Sequence, residues 1–112
     1  MKKLLMIIIH AALLFNSTTV FAGFWTSTEL MQMLEEDMRG DATYNVGMVT
    51  GYILGVHDSV AGNQICLTDK ATVKQVKQVV FNYMKGHPEQ WSTSANTIVT
   101  KALRSVWPCV TK

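Results

Sequence analysis

Two histidines are the side chains of this sequence best suited to acid–base chemistry. His57 is followed by Asp58, and an imidazole held by a carboxylate is the general base of many hydrolases. Neighbours on a helix point about 100 degrees apart, so we do not expect these two to form a dyad by themselves. His87 precedes Pro88 in a loop. The sequence has no nucleophile elbow, phosphate-binding loop or dinucleotide motif, so a hydrolase using His57 or His87 is the weakest functional interpretation, and we predict no catalytic residue.

Cys66 and Cys109 are the two cysteines of the chain. In an exported domain an even cysteine number predicts a disulfide bond. The loop closed by this bond would contribute about 4 kcal/mol to the free energy of unfolding in the chain-entropy description. The alternatives are a reactive thiol or a metal site. A metal site needs more ligands, and the three histidines lack ligand spacing, so we expect no metal and no cofactor.

The N-terminus has the pattern of a secretory signal peptide. Two lysines precede an apolar run over residues 4–15, and a site suited to signal peptidase follows at residues 20–22. We predict a signal peptide over residues 1–22, cleavage after Ala22, and a helical domain over residues 23–112. The alternative is a membrane anchor, but the apolar run is shorter than the roughly 20 residues that span a bilayer. We therefore expect no membrane span after cleavage.

The charge of the predicted mature part argues against a nucleic-acid partner. Residues 23–112 contain eight Lys or Arg and eight Asp or Glu, so their formal net charge is zero. A protein that binds nucleic acid is expected to show a basic patch or stripe. We found none, and an exported protein does not meet nucleic acid in its compartment.

The hydrophobic periodicity is helical throughout, which predicts an all-α domain of four helices closed by one disulfide. Capping boxes at Thr26 with Glu29 and at Thr72 with Gln75 mark the first and third starts. Ser92 or Thr93 is the expected cap of the fourth helix. The predicted helices span about Ser27–Met38, Ala42–Ala61, Val73–Lys85 and Thr93–Val106.

The second predicted helix contains three glycines at intervals of four residues, Gly47, Gly51 and Gly55. Each glycine inside a helix costs nearly 1 kcal/mol relative to alanine. We expect this stripe to let another backbone approach closely. A neighbouring helix of the same chain is the favoured interpretation, and a dimer mate is the alternative.

A loop between the third and fourth helices is our candidate partner-contact segment. It contains His87, Pro88, Glu89, Gln90 and Trp91. Tryptophan is enriched at the centres of protein–protein interfaces. Trp91 is therefore either an anchor for a partner or a plug at the edge of the core, and the plug is the simpler interpretation.

These motifs, taken in order, resemble the Rap/Tai family of small periplasmic immunity proteins. The resemblance covers most of the predicted mature chain. It rests on Gly51-Tyr52-Ile53-x-Gly55-Val56-x-Asp58, Cys66-Leu67, Thr72 opening a valine-rich helix, His87-Pro88-Glu89, and Ala102-Leu103 leading to Trp107-Pro108-Cys109.

The resemblance implies an all-helical, disulfide-closed protein that is often dimeric. Its relatives protect bacteria from type VI secretion effectors that hydrolyse peptidoglycan, and they act by blocking the effector's active site without catalysis. It therefore implies a periplasmic location and a protein partner, with a peptidoglycan amidase as the expected effector and a homodimer as an expected assembly.

The sequence departs from the family at one cysteine pair. Many members have an additional pair, with one cysteine in the first helix and one just before the glycine–tyrosine motif, where this chain has Thr50. The chain is also similar to KikA, a small exported protein encoded in the transfer region of certain conjugative plasmids and linked to killing of recipient hosts. An accessory or killing protein of a conjugation system on the same fold is therefore the alternative function.

Overall fold

The computed structural model describes residues 1–3 and 23–110. Within them the chain forms four helices and no strand, which confirms the predicted all-α fold. The predicted cleavage site after Ala22, and the signal peptide apart from its first three residues, lie outside the described residues. The helices are α1 (Ser27–Met38), α2 (Tyr44–Val60), α3 (Val73–Gly86) and α4 (Ala95–Val106), with a short 3₁₀ turn at Pro88–Gln90.

Reciprocal capping boxes fix the starts of α1 and α3, as predicted. The Thr26 hydroxyl accepts from the Glu29 amide at 3.2 Å, and the Glu29 carboxylate accepts from the Thr26 amide at 2.8 Å. At the start of α3 the Thr72 hydroxyl accepts from the Gln75 amide at 3.2 Å, and the Gln75 side-chain oxygen accepts from the Thr72 amide at 2.8 Å. Each box satisfies two amides that a helix N-terminus would otherwise leave without a partner.

Helix α4 begins at Ala95, two residues later than predicted, and its cap is Ser94 rather than Ser92 or Thr93. The reason is a contact between distant parts of the chain. The Thr93 carbonyl accepts from the Ser27 amide at 3.1 Å, and the Ala95 amide donates to the Trp25 carbonyl at 2.9 Å. These bonds hold the segment before α4 extended against the start of α1.

Helix α4 is the centre of the packing and contacts the other three helices. It buries five apolar residues, whereas α2 buries only two, Val49 and Ile53. The other buried apolar residues are Leu30, Met31 and Leu34 on α1, Val76, Val80 and Met84 on α3, and Ile65 in the loop after α2. Helix α2 therefore covers one side of the core and leaves most of its own surface in water.

The predicted disulfide is present between Cys66 and Cys109. It ties the chain after α4 to the loop after α2, as the sequence indicated. The Cys66 amide also donates to the Trp107 carbonyl at 2.9 Å. Backbone and covalent contacts therefore hold the same two segments together.

Carboxylates of α1 join that helix to its neighbours. Lys77 on α3 donates to Oδ1 of Asp37 at 2.9 Å, and its ammonium lies 2.7 Å from Oδ2. Glu36 accepts hydrogen bonds from Asn45 at 3.0 Å and from Thr43 at 2.8 Å. Both hydrogen bonds lower the pKa of the Glu36 carboxyl, and the bond from Asn45 has the larger effect. The acidic end of α1 therefore positions both α2 and α3.

None of the helices in residues 23–110 has the combination of length and apolar composition needed to cross a membrane.

Candidate partner-binding surface

The histidine–aspartate pair on α2 is closer than the helix geometry led us to expect. Nδ1 of His57 lies 2.9 Å from Oδ1 of Asp58, so the prediction that these neighbours form no pair was wrong. The Asp58 side chain is 78% exposed and bends back to reach the ring. Among the hydrogen bonds of the described residues, none joins His57 to a serine, threonine or cysteine that could serve as a nucleophile.

The loop between α3 and α4 is a turn that side-chain contacts hold in one conformation. The imidazole of His87 lies against the Tyr83 ring, with ring centroids 4.2 Å apart, and Nδ1 of His87 lies 3.0 Å from the Glu89 carboxylate. This hydrogen bond from His87 is the main cause of the lowered pKa of Glu89. Pro88 and Glu89 are exposed at the tip of the turn.

Trp91 supports this turn from the inside. Its indole Nε1 donates to the Met84 carbonyl at 2.8 Å, and the ring is half-buried against the hydrophobic core. This position is the one expected of a side chain that fills the edge of the hydrophobic core. Whether Trp91 or its neighbours contact a partner stays a prediction.

Gln90 connects the loop to a groove beside it. Its amide nitrogen donates to the Tyr83 hydroxyl at 3.4 Å, and its amide oxygen accepts from the Lys101 ammonium at 3.4 Å. The groove has a volume of about 630 Å³ and lies between α4, Tyr83 and the end of α2. Its wall on α4 consists of Asn96, Thr97, Thr100, Lys101, Arg104 and Ser105. We call this hollow the α4 groove.

The three glycines of α2 do not pack against a neighbouring helix. Gly47, Gly51 and Gly55 are exposed, and a Cβ added to any of them would have no atom of the described chain within 4 Å. The favoured interpretation, intrachain packing, was therefore wrong. The reason is that α2 turns Val49 and Ile53 to the core, and the glycines occupy the other side of the helix. The dimer-mate alternative stays a prediction.

The basic residues of the α4 groove were missed because the net charge of the mature part hides a separation of charge along the chain. Residues 23–69 contain seven acidic residues and one basic residue, and residues 70–112 contain seven basic residues and one acidic residue. Helix α1 has four carboxylates and no cation, whereas α3 and α4 have cations and no carboxylate. Counting charge by segment would have revealed the basic half.

Together these features define a small disulfide-closed helical protein with an exposed, braced loop and an adjacent basic groove. The described residues contain no cluster of side chains suited to a metal ion.

The model of the family of Rap1a immunity proteins matches residues 26–109, and the chain belongs to this family. The resemblance to the Rap/Tai family inferred from the sequence is thereby confirmed. Among curated proteins, none matches this chain. Family membership points to a role in effector immunity and to a protein partner, the effector. The family is generally non-catalytic and is consistent with a secreted or periplasmic protein.

Proposed function

We propose that this protein is an exported immunity protein that binds a peptidoglycan-hydrolysing effector, with a peptidoglycan amidase as the expected target, and blocks its active site. The observation that carries the proposal is the family match over residues 26–109, which spans all four helices. The predicted signal peptide over residues 1–22 would deliver the protein to the periplasm, where such an effector attacks the cell wall.

The loop from His87 to Trp91 is the proposed contact with the effector. Its exposed tip, Pro88 and Glu89, is held by the contacts of His87 with Tyr83 and of Trp91 with Met84. A turn that is ordered before binding loses little conformational entropy when it enters a cleft. Blocking by an inserted loop needs shape and hydrogen bonding and no chemistry.

A homodimer is the proposed assembly, with α2 as the contact. Residues 44–57 of α2 contain no Asp, Glu, Lys or Arg, and the glycine stripe faces away from the core. A second helix could therefore approach this surface without burying a charge. Sedimentation velocity over a range of protein concentrations tests the assembly, and a monomer at every concentration would refute it.

The test of the proposed function uses the peptidoglycan hydrolase encoded nearest to this gene. We expect the purified protein to bind that enzyme in isothermal titration and to stop its release of peptidoglycan fragments. Glu89→Arg should weaken binding by about tenfold or more if the loop tip enters the active site.

Asp69→Arg is the matched control for that variant, because it makes the same charge change at another exposed position outside the helices. It should bind as tightly as the unchanged protein. Failure to bind peptidoglycan amidases, including those encoded nearby, would refute the proposed function. Equal effects of the two variants would refute only the loop assignment.

The alternative function, an accessory or killing protein of a conjugation system, is favoured by the single disulfide. Thr50, in the position of the additional family cysteine, donates to the Val46 carbonyl at 2.8 Å instead of forming a second covalent link. Neighbouring genes separate the two proposals, since mating-channel genes support conjugation and a cell-wall hydrolase gene supports immunity. Unchanged survival of recipients after deletion of the gene would refute the alternative.

A further inference from the structure

The basic half of the chain, residues 70–112, contributes two adjacent helices, α3 and α4, to the fold. Helices α3 and α4 pack directly on each other, and neither contains a carboxylate. Within the described residues, one ion pair crosses from this half to the acidic half, between Lys77 and Asp37. The remaining cations of α3 and α4 are therefore available to act on charges outside the molecule.

The α4 groove concentrates this charge in a concave site. Lys101 and Arg104 are exposed and lie three positions apart, on one face of the helix. In residues 23–110 no carboxylate lies within ion-pair distance of either cation, and none lines the groove. Low-dielectric walls around cations of one sign focus the electric field into the groove.

The other groups of the groove are suited to accompany a carboxylate. Asn96, Thr97 and Thr100 line it beside the cations. Amide and hydroxyl groups donate hydrogen bonds, and charge-assisted bonds from Arg and Lys to carboxylates are the stronger members of their class. The groove also adjoins the loop through Gln90, which contacts Lys101 and Tyr83. A partner held at the loop tip therefore passes next to these cations.

We propose that the α4 groove docks an acidic segment of the partner protein, through Lys101 and Arg104, next to the loop that contacts its active site. This inference rests on the proposed function for the identity of the partner, and it adds a second contact and the charge of the surface that fits it. A concave groove suits a projecting chain segment. A flat anionic membrane would instead require a convex basic surface with apolar residues at its tip.

The test compares two double charge reversals of equal net charge. Lys101→Glu with Arg104→Glu reverses the groove, and Lys70→Glu with Lys74→Glu reverses two exposed lysines of the same half outside it. With the neighbouring peptidoglycan hydrolase as partner, the groove variant should bind about tenfold more weakly at low salt, mostly through slower association, and the control should change little. The difference should shrink at 0.5 M salt, an ionic strength at which exposed charges are strongly screened.

A second measurement decides the inference even if that hydrolase does not bind. The full chain, expressed with its own N-terminus and labelled with ¹⁵N, is titrated with a hexaglutamate peptide and separately with hexaglutamine. Hexaglutamate alone should shift amide signals of Thr97, Thr100, Lys101 and Arg104. The groove variant should lose these shifts. Should that variant fail to fold, Lys101→Gln with Arg104→Gln replaces it.

Three results would overturn the inference. One is equal weakening by both double variants, which would mean that the general field of the basic half acts instead of the groove. Another is hexaglutamate shifts that are absent or spread evenly over Lys70, Lys74 and the groove. The third is groove-dependent binding to phosphatidylglycerol vesicles together with no hexaglutamate effect. Loss of hydrolase binding by the unchanged protein would instead count against the proposed function.

Discussion

Replacement of Lys77 by methionine should destabilise the protein well beyond the effect of an ordinary surface substitution. The Lys77 and Asp37 side chains are 14% and 11% exposed, and the ammonium lies 2.7 Å from Oδ2. The Lys77 ammonium donates its hydrogen bond to Oδ1, and no other donor of the described residues reaches Oδ2, so the ammonium is the charge partner of that buried atom. Methionine keeps the stem of the side chain but leaves the carboxylate without compensation.

The expected loss lies between two limits. Removing one partner of a fully buried pair costs about 3–5 kcal/mol, and an exposed pair contributes about 0–1 kcal/mol. Because water still reaches one edge of this pair, we expect a loss of about 2 kcal/mol in the free energy of unfolding. In a domain of this size that loss lowers the Tm by roughly 8–16 °C. Urea unfolding followed by circular dichroism, with the disulfide intact, measures the loss directly.

Arg39→Met is the matched control, since it also exchanges a cation for methionine. Arg39 contacts Asp41 at 3.1 Å, but their side chains are 61% and 40% exposed. We expect this variant to lose less than about 1 kcal/mol.

A double-mutant cycle isolates the interaction between the two charges. Lys77→Met combined with Asp37→Asn should cost clearly less than the sum of the single losses, because the double variant buries no unpaired charge. Two results would refute this role of the Lys77–Asp37 pair: a Lys77→Met loss no larger than that of Arg39→Met, or losses that simply add in the double variant.

Four other predictions follow from local geometry. Replacing Cys66 and Cys109 together with alanine should lower the free energy of unfolding by about 4 kcal/mol, because the bond joins positions 43 residues apart, and a loss below about 1 kcal/mol in urea unfolding would contradict this. Gly51→Ala should stabilise the monomer by up to about 1 kcal/mol, since its Cβ meets open space within the described chain; a loss of stability at protein concentrations where the chain is monomeric would contradict this. Trp91→Phe should cost about 1 kcal/mol in the same assay, because the indole bond to the Met84 carbonyl disappears, and an unchanged stability would show that this bond is unimportant. Hydrogen bonds, chiefly from the Thr26 backbone, lower the pKa of Glu29, so its stabilising effect is present at neutral pH and lost as the pH falls through that lowered pKa. Glu29→Gln should therefore flatten the dependence of Tm on acid pH, and an unaltered slope would contradict this assignment.

The sequence predicted the features that depend on residues close together in the chain. The starts of α1 and α3 follow from Thr26 with Glu29 and from Thr72 with Gln75, because a capping box is complete within four residues. The disulfide also followed, since two cysteines allow one intramolecular pairing.

The features that the sequence did not predict depend on contacts between distant segments. The late start of α4 results from hydrogen bonds of Thr93 and Ala95 to the segment around Trp25, more than 60 residues away. The orientation of the glycine stripe depends on which side of α2 meets the core. Residues 44–57 of α2 contain no Asp, Glu, Lys or Arg, so this stretch offers no charged face that would reveal this side.

The candidate binding surface was predicted in part. The loop from His87 to Trp91 was identified because His87-Pro88 interrupts the helical pattern. The contacts of Trp91 with Met84 and of Gln90 with Lys101 were not, since both depend on how α3 and α4 pack. The basic residues of that side are visible in the sequence. The net charge hides them, because the acidic residues of the other half cancel their charge.

The most direct test of effector immunity is to measure peptidoglycan hydrolysis by the hydrolase encoded nearest to this gene while this protein is added in increasing amounts. Hydrolysis should fall linearly and stop when each enzyme molecule has bound one chain of this protein, and the complex should survive gel filtration. Undiminished hydrolysis in the presence of a large excess of the folded, disulfide-bonded protein would contradict the proposed immunity role.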